Sequence, residues 1–202
     1  PQSWITGSLR PGQMIAVADA LFEWTGEDRG TRTEDLAYSY ALDGQEFSQW
    51  SGDAVHTFSD LGEGRHTVRV RARDQAGNIE VTPASIDFSV DFTPPVPSVF
   101  LDSGRDAGIC GFPVHFNWTA TDNLARANTI DYAYRLDESE WSDFSPHRSF
   151  SIGDLSEGNH TFEVTARDPA GNRAEHPARI EFNVDLTPPD RKSTRLNSSH
   201  YS

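Results

Sequence analysis

The sequence repeats itself at a displacement of 94 positions, and this repeat constrains the fold more than any other feature. Residues 22–95 align with residues 116–189 without a gap, and 34 of the 74 aligned positions are identical. Self-similarity at a fixed period is typical of chains built from copies of one structural unit. The sequence therefore predicts two modules, residues 1–94 and 95–189.

Each module shows the alternation of apolar and polar residues that β-strands require. Val68, Val70 and Ala72 alternate with arginines, which places the apolar set on a core face and the arginines in water. The same alternation recurs at residues 36–42 and 86–90. Shorter strands are predicted at residues 3–6, 47–50 and 55–58. With about seven short strands in each copy, the sequence predicts an all-β fold of two tandem immunoglobulin-like antiparallel β-sandwiches.

A set of aromatic, glycine and proline residues recurs at equivalent positions in the two copies. The tryptophans lie in the core phase of a strand, the glycines lie at predicted hairpin tips, and the prolines end each module because proline cannot donate to a strand ladder. This recurring signature consists of Trp24, Tyr38, Tyr40, Gly77 and Pro94 in the first copy and Trp118, Tyr132, Tyr134, Gly171 and Pro188 in the second.

The order and spacing of the motifs resemble a known group of repeats. Phe-x-Trp, Tyr-x-Tyr-x-Leu-Asp, Glu-Gly-x-His-Thr, Ala-Arg-Asp-x-Ala-Gly-Asn and Val-Asp-x-Thr-Pro-Pro occur in that order in both copies. The pattern resembles bacterial immunoglobulin-like (fibronectin type III-like) repeats, which occur in tandem in large secreted and surface-anchored proteins. The resemblance implies a non-catalytic spacer or adhesion role outside the cell, with neighbouring repeats of the same chain as the first partners.

A second resemblance concerns Tyr134, Leu136 and Asp137 followed by Trp141 and Gly158. This pattern is similar to the β-sandwich that closes the periplasmic sensor region of some hybrid histidine kinases. That module usually occurs once, after a propeller, so the tandem copy argues against this alternative.

The charge balance argues against two classes of partner. The sequence has 17 Lys and Arg against 31 Asp and Glu, for a net charge of −14. Nucleic acids and anionic lipids favour cationic surfaces, so neither is an expected partner. No apolar run approaches the length of a membrane span, and we expect no membrane insertion within this sequence.

The sequence also lacks the residue patterns that enzymes need, and it predicts no catalytic residues and no cofactor. It contains no glycine-rich phosphate loop and no Gly-x-Ser-x-Gly motif. His66 and His160 occupy equivalent strand positions in separate copies, and both are predicted to be structural histidines that face a sheet edge.

Calcium is the metal that the acidic residues favour. Sandwich repeats outside the cell often bind calcium at module junctions, where oxygen ligands from two domains converge. The candidate ligands are Glu63, Asp74 and Asp91, which recur as Glu157, Asp168 and Asp185. Asp91 offers one carboxylate where a dedicated junction site needs several. The sequence therefore predicts no metal site: these carboxylates are expected to accept backbone N–H groups at turns, with calcium as the alternative.

A surface glycan or a protein is the other open possibility for a ligand. Phe47, Trp50, Trp141 and Phe144 offer aromatic surface, but phenylalanine and tryptophan exchange places between the two copies. Exchange that keeps volume favours a packing role over a shaped binding pocket.

The ends of the sequence have a different character from the repeats. Pro1 aligns with Pro95, so we expect the sequence to be a piece of a longer protein that begins at a repeat junction. Residues 190–202 show no strand pattern, and their sequence resembles the in-frame translation of a sequencing-library adapter. They are therefore predicted to be a disordered tail of artefactual origin. Cys110 is the single cysteine and is interpreted as a small apolar residue.

Overall fold

The computed structural model describes residues 1–7, 9–102 and 113–187. Cys110, Pro188 and the predicted tail lie outside the described residues. The first module contains β1 (Gln2–Ile5), β2 (Met14–Ile15), β3 (Ala20–Glu27), β4 (Ala37–Leu42), β5 (Val55–Phe58), β6 (Gly64–Arg73) and β7 (Ala84–Val90). The second contains β8 (Val96–Leu101), β9 (Val114–Thr121), β10 (Asp131–Leu136), β11 (Ser149–Ile152), β12 (Gly158–Arg167) and β13 (Ala178–Val184).

Each module is a sandwich of two sheets. In the first, the order β1-β3-β5 faces the order β2-β7-β6-β4, and in the second, β11-β9-β8 faces β10-β12-β13. All pairings are antiparallel except that of β2 with β7. The counterpart of β2 would fall at residues 108–109, outside the described residues. The all-β prediction of two tandem immunoglobulin-like sandwiches is confirmed.

Alternating side chains fill a separate core in each module. Phe22, Trp24 and Val70 belong to the first core, and Phe116 and Trp118 belong to the second. Burying one large apolar side chain of this kind contributes about 1.5–3 kcal/mol. Both tryptophans are 3% exposed, which agrees with the predicted core phase.

One local prediction was wrong. Residues 47–50 form no strand, although hydrogen bonds tie this segment to β4: Ser48 N donates to Tyr40 O at 2.7 Å, Ser39 Oγ donates to Ser48 O at 2.8 Å, and Ser51 pairs with Tyr38 as an isolated bridge. His66 lies on β6, two residues beyond the last pair that β6 forms with β4. Each histidine bonds a turn aspartate, His66 with Asp43 at 2.7 Å and His160 with Asp137 at 2.9 Å.

Short 3-10 helices and turns connect the strands. The two 3-10 helices span Thr33–Asp35 and Ala127–Thr129. Gly77 and Gly171 lie in the turns after β6 and β12 with φ of 88° and 101°, a backbone region in which a side chain is strained. No helix in the described part of the chain is long and apolar enough to cross a membrane.

Candidate metal centre

Three aspartates that directly follow strands come together where the first module meets the second. Asp91 follows β7 of the first module, while Asp122 and Asp168 follow β9 and β12 of the second. One carboxylate oxygen from each lies within 4.8 Å of the other two. The cluster therefore combines one carboxylate from the first module with two from the second.

Local backbone hydrogen bonds hold the two carboxylates of the second module in place. Asp122 Oδ1 accepts the N–H groups of Leu124, at 2.9 Å, and Ala125, at 2.6 Å. Asp168 Oδ1 accepts Asn172 N at 2.9 Å, and its Oδ2 accepts Asn172 Nδ2 at 2.8 Å. These are Asx-type contacts, in which a short acidic side chain fixes the turn that carries it.

Asp91 is the buried member that reaches across from the first module. It is 0% exposed, and its Oδ1 accepts Thr93 N at 3.1 Å. Its backbone oxygen accepts Asn172 Nδ2 from the second module at 2.8 Å. Its Oδ2 is buried and has no hydrogen-bond partner among the described residues. A buried carboxylate oxygen without a partner is costly, and such a group calls for a ligand.

The cluster carries negative charge that no described side chain neutralises. Burial, together with the nearby negative charges of Asp122 and Asp168, raises the pKa of Asp91 to about 6. Oδ2 of Asp122 is also buried without a partner in the described part of the chain. None of the salt bridges between described residues includes any of the three aspartates. A cation is the group that this arrangement lacks.

Glu63 adds a fourth carboxylate beside the cluster. Its Oε1 accepts Phe92 N and Thr93 N, both at 3.0 Å. Hydrogen bonds with the side chains of Thr93 and Asn123 lower the pKa of Glu63 to about 2, so this carboxylate is ionised. Because Asn123 belongs to the second module, Glu63 makes a further contact across the junction.

The donor set fits a hard divalent cation. Carboxylate oxygens of Asp91, Asp122 and Asp168 form the cluster, and the Glu63 carboxylate lies next to it. Calcium takes six to eight oxygen ligands in flexible geometry, whereas soft metals prefer thiolate and imidazole groups. The site therefore favours calcium, with water completing the coordination.

The structure brings together only part of the set of calcium candidates that the sequence offered. Asp91 and Asp168 are in the cluster, and Glu63 lies beside it. Asp74 instead accepts Asn78 N at 2.8 Å within its own turn. Glu157 Oε1 accepts a hydrogen bond from Thr187 Oγ1 at 2.7 Å, and Asp185 Oδ1 accepts one from Thr187 N at 3.0 Å. Both carboxylates therefore bind the segment that follows β13.

Sequence reasoning missed Asp122. A signal was present, because Asp28 occupies the equivalent position in the first copy and both residues follow a strand that contains the core tryptophan. An acid kept at the same place in both copies and beside a strand end is as good a candidate as Asp168. Asp122 lies more than thirty positions from Asp91 in the sequence, so its contact with Asp91 could not be predicted from the sequence pattern.

The remaining signature residues have structural positions. Tyr38 and Tyr132 are buried in the two cores, while Tyr40 and Tyr134 pack against them from partly buried positions. The indole N–H of Trp24 donates to Asp53 O at 3.0 Å, and the equivalent group of Trp118 donates to a backbone oxygen in the same way. Pro94 lies in the segment between β7 and β8.

No protein-family model matches the sequence, and no curated protein matches it. Among solved structures, it is similar to the fibronectin(III)-like modules of CbhA from Clostridium thermocellum, with 16% identity, 100% of both chains covered and a TM-score of 0.50.

Two further similar structures come from adhesion proteins. One is a tetra-tandem repeat in the extending region of a large adhesion protein, with 17% identity and a TM-score of 0.38. The other is the Ca²⁺-stabilised adhesin with which an Antarctic bacterium binds ice, with 16% identity and a TM-score of 0.41. In both cases the match covers 92% of this chain and 49% of the other, so the chain spans about half their length. The sheet order and the CbhA likeness together show that the chain folds as a tandem pair of immunoglobulin-like, fibronectin type III-like β-sandwiches.

Proposed function

We propose that the chain is a pair of non-catalytic spacer modules from a larger extracellular protein, in which a calcium ion at the junction fixes the two modules in one relative orientation. The observation that carries this proposal is the buried Asp91, which has one oxygen without a partner and whose carboxylate lies with those of Asp122 and Asp168. The boundary between the modules is placed between Pro94 and Pro95, in the segment that joins β7 to β8.

The electrostatics of the junction support a cation-dependent joint. Without a cation, three carboxylates from two modules repel one another across a few ångströms. With a divalent cation, the same carboxylates attract a common centre. A ligand that binds only the closed arrangement stabilises it by mass action, so calcium favours one orientation over all others.

Other contacts at the junction are consistent with a defined orientation. Asn172 donates to the backbone of Asp91, and Met14 of β2 packs against the core cluster of the second module. The linker Thr93-Pro94-Pro95 is short and contains two prolines, which restrict its backbone. A stiff linker and a shared ion together favour an extended spacer, a role compatible with adhesion at a cell surface. Calcium sites of extracellular modules are weak enough to respond to millimolar calcium.

Calorimetric titration of calcium into the chelator-treated protein tests the proposal. We expect one site in the native chain and its loss in Asp91→Asn. Asp185→Asn is the matched control, because Asp185 is the equivalent residue of the second module and lies outside the cluster. We expect Asp185→Asn to bind calcium like the native chain. If the native chain binds no calcium at millimolar concentration, or if Asp91→Asn binds it equally well, the proposal fails.

A further inference from the structure

The first module presents a row of arginines on the outer face of its larger sheet. Arg65, Arg69, Arg71 and Arg73 occupy alternate positions of β6, interrupted once by Thr67. Residues two apart on a strand point to the same face and are separated by about 6.6 Å. Val68, Val70 and Ala72, on the opposite side, are fully buried. The row is therefore a line of guanidinium groups about 26 Å long, counted as eight steps of about 3.3 Å.

None of the four arginines forms a salt bridge with a carboxylate in the part of the chain that the structure describes. Other described arginines, such as Arg10 and Arg126, also form no salt bridge, but the row places four such residues along one strand. Positive charge left unpaired on such a surface creates a local site for an anion.

The second module shows what the same sheet looks like when its charges are paired. The positions equivalent to the row hold Asn159, Glu163, Thr165 and Arg167. The arginines of that sheet are all engaged: Arg135 with Glu163 at 2.6 Å, Arg167 with Asp131 at 3.2 Å and Arg179 with Glu181 at 2.8 Å. The unpaired row is thus a property of the first module and not of the fold.

Aromatic rings hold the guanidinium groups of the row in place. The Arg71 guanidinium lies 3.9 Å from the Phe47 ring centre and 4.9 Å from that of Trp50. Arg73 lies 4.6 Å from Trp50, and Arg69 lies 5.3 Å from Phe47. Stacking of this kind fixes a planar cation while its N–H edges stay available for carboxylates. Nε of Arg71 is buried and has no hydrogen-bond partner among the described residues, so only the terminal N–H groups of Arg71 can meet a ligand.

At the Arg65 end, the row leads into a groove between the modules. This groove has a volume of about 700 Å³ and is lined by two cations, Arg65 and Arg126 of the second module, by the carboxylate residue Asp87, and by Thr67 and Ser89. Met14 contributes an apolar wall. The groove adds a fifth cation and several hydrogen-bonding groups to the end of the row.

We propose that the arginine row of the first module binds a linear acidic polysaccharide through its carboxylate groups. An extended polymer with carboxylates at intervals matches a straight line of cations on a flat sheet. The hydroxyl groups of Ser85 and Ser89 border the row and suit the hydroxyl groups of a sugar chain, while Thr67 Oγ1 donates to Asp87 Oδ1 at 2.6 Å. Guanidinium groups pair with carboxylates in a bidentate way that neutral sugars cannot reproduce.

Two other kinds of polyanion fit this face less well. A protein interface has an apolar centre, yet none of the large exposed apolar residues of the described chain lies on β4, β6 or β7. Single-stranded nucleic acid is bound by stacking bases on free aromatic faces, but guanidinium groups occupy the rings of Phe47 and Trp50.

A titration with oligogalacturonate, in the presence of a chelator, tests the proposal. Its fully methyl-esterified form is the matched neutral ligand. We expect the native chain to bind the acid form, to bind the ester much less, and to lose affinity as salt increases. The double variant Arg69→Gln/Arg73→Gln removes two charges outside the groove, and we expect its affinity to fall about tenfold or more. Arg167→Gln/Arg179→Gln removes two paired charges from the second module, and its affinity is expected to equal that of the native chain.

Four results would overturn the proposal. The first two are that the native chain binds the ester as tightly as the acid form, and that the Arg69→Gln/Arg73→Gln variant binds the acid form as tightly as the native chain while its circular dichroism stays native. The third is that polyglutamate binds as tightly as oligogalacturonate. The fourth is that the native chain self-associates and that the Arg69→Gln/Arg73→Gln variant does not. Because the chelator removes calcium and the row lies on a single module, failure here leaves the calcium proposal untouched. Failure of the calcium proposal likewise leaves this binding site in place.

Discussion

The Asp91 carboxylate is expected to destabilise the folded protein without a cation and to stabilise it when a cation is bound. Its carboxylate is fully buried, has one oxygen without a partner and lies with two further carboxylates. Burial holds its pKa near 6, above the ordinary value of 3.8, which means that the ionised form is disfavoured in the folded chain. A single substitution at this residue therefore separates two effects of the charge: the destabilisation of the cation-free protein and the stabilisation that follows when calcium binds.

We expect Asp91→Asn to stabilise the chelated protein and to destabilise the calcium-loaded protein relative to the native chain. The pKa difference of about 2 corresponds to about 3 kcal/mol at neutral pH, and asparagine removes part of that cost, so a gain of about 1–2 kcal/mol is expected. At calcium one hundred times above Kd the native chain gains about 2.7 kcal/mol, which the variant does not. Urea unfolding with chelator and with calcium measures both values. Asp185→Asn is the control, and an Asp91→Asn effect of the same sign in both conditions would contradict this account.

His160 provides a pH-dependent contribution in the second module. It is 8% exposed, its Nδ1 bonds Asp137 Oδ2 at 2.9 Å and its Nε2 bonds Ser156 O at 2.9 Å. The Asp137 carboxylate raises the pKa of His160 above the model-compound value of 6.5, and the Ser156 carbonyl adds to this effect. Since both partners are acceptors, the doubly protonated ring satisfies both.

A folded-state pKa above the unfolded one stabilises the protein at low pH. The contribution of His160 is complete below pH 6.5 and is lost as the pH rises through the higher folded-state pKa. We therefore expect His160→Gln to destabilise the chain by about 1–2 kcal/mol at pH 5.5 and by less at pH 8.5. Urea unfolding of the native chain and the variant at both pH values measures this, and the comparison cancels other titrating groups. If the loss of unfolding free energy in His160→Gln is the same at both pH values, His160 and Asp137 do not form a stabilising ion pair.

At the scale of elements, the first strands of the two modules are held in different ways. Buried Glu80 accepts Ser3 N at 3.0 Å, Ser3 Oγ at 2.6 Å and Ala72 N at 3.0 Å, and it thereby ties β1 to β6. The equivalent residues of the second module are Pro97 and Ala174, so donor and acceptor are both missing there. The same pair of positions thus holds a hydrogen-bonded polar network in the first module and two apolar residues in the second.

We expect Glu80→Ala to destabilise the first module by about 2–4 kcal/mol, because three buried donors lose their acceptor. Amide hydrogen exchange of β1 should become faster, while β8 of the second module stays unchanged. Ser3→Ala removes only the hydroxyl contact, and we expect it to cost about 1 kcal/mol. Equal effects of the two substitutions, or unchanged exchange in β1, would show that Glu80 does not hold this strand.

Strand positions were predictable from the sequence because the alternation of apolar and polar residues predicts strands at equivalent positions in both copies of the repeat. Five strands of the first module, from β3 to β7, recur in the second at a displacement of 94 residues. Residues 47–50 were mistaken for a strand because aromatic residues also suit the arginine stacking that the structure contains. The arginines of β6 were expected in water, but sequence periodicity does not reveal whether a charge finds a partner.

The junction was only partly predictable. Asp91 and Asp168 could be proposed from their positions at strand ends, but the meeting of three carboxylates depends on how two modules are oriented. That orientation is set by contacts such as Asn172 with Asp91 and Met14 with the second core. A pattern within one module contains no information about these contacts.

For the whole molecule, the two proposals assign different tasks to the same pair of modules. The junction sets the orientation of the pair, and the arginine row of the first module offers a surface for an acidic polymer. The second module repeats the fold but not the row, so the copies have kept their cores and diverged on their surfaces. This agrees with the general rule that function lies in sites placed on a common fold.

The claim that a cation fixes the joint is tested most directly by small-angle X-ray scattering of the native chain, with calcium and with chelator. We expect calcium to give a pair-distance distribution with two resolved maxima and a single orientation of the modules, and chelator to give a broader distribution that needs several orientations. Asp91→Asn should give the broad distribution in both conditions. Identical curves for the native chain with and without calcium would contradict the account.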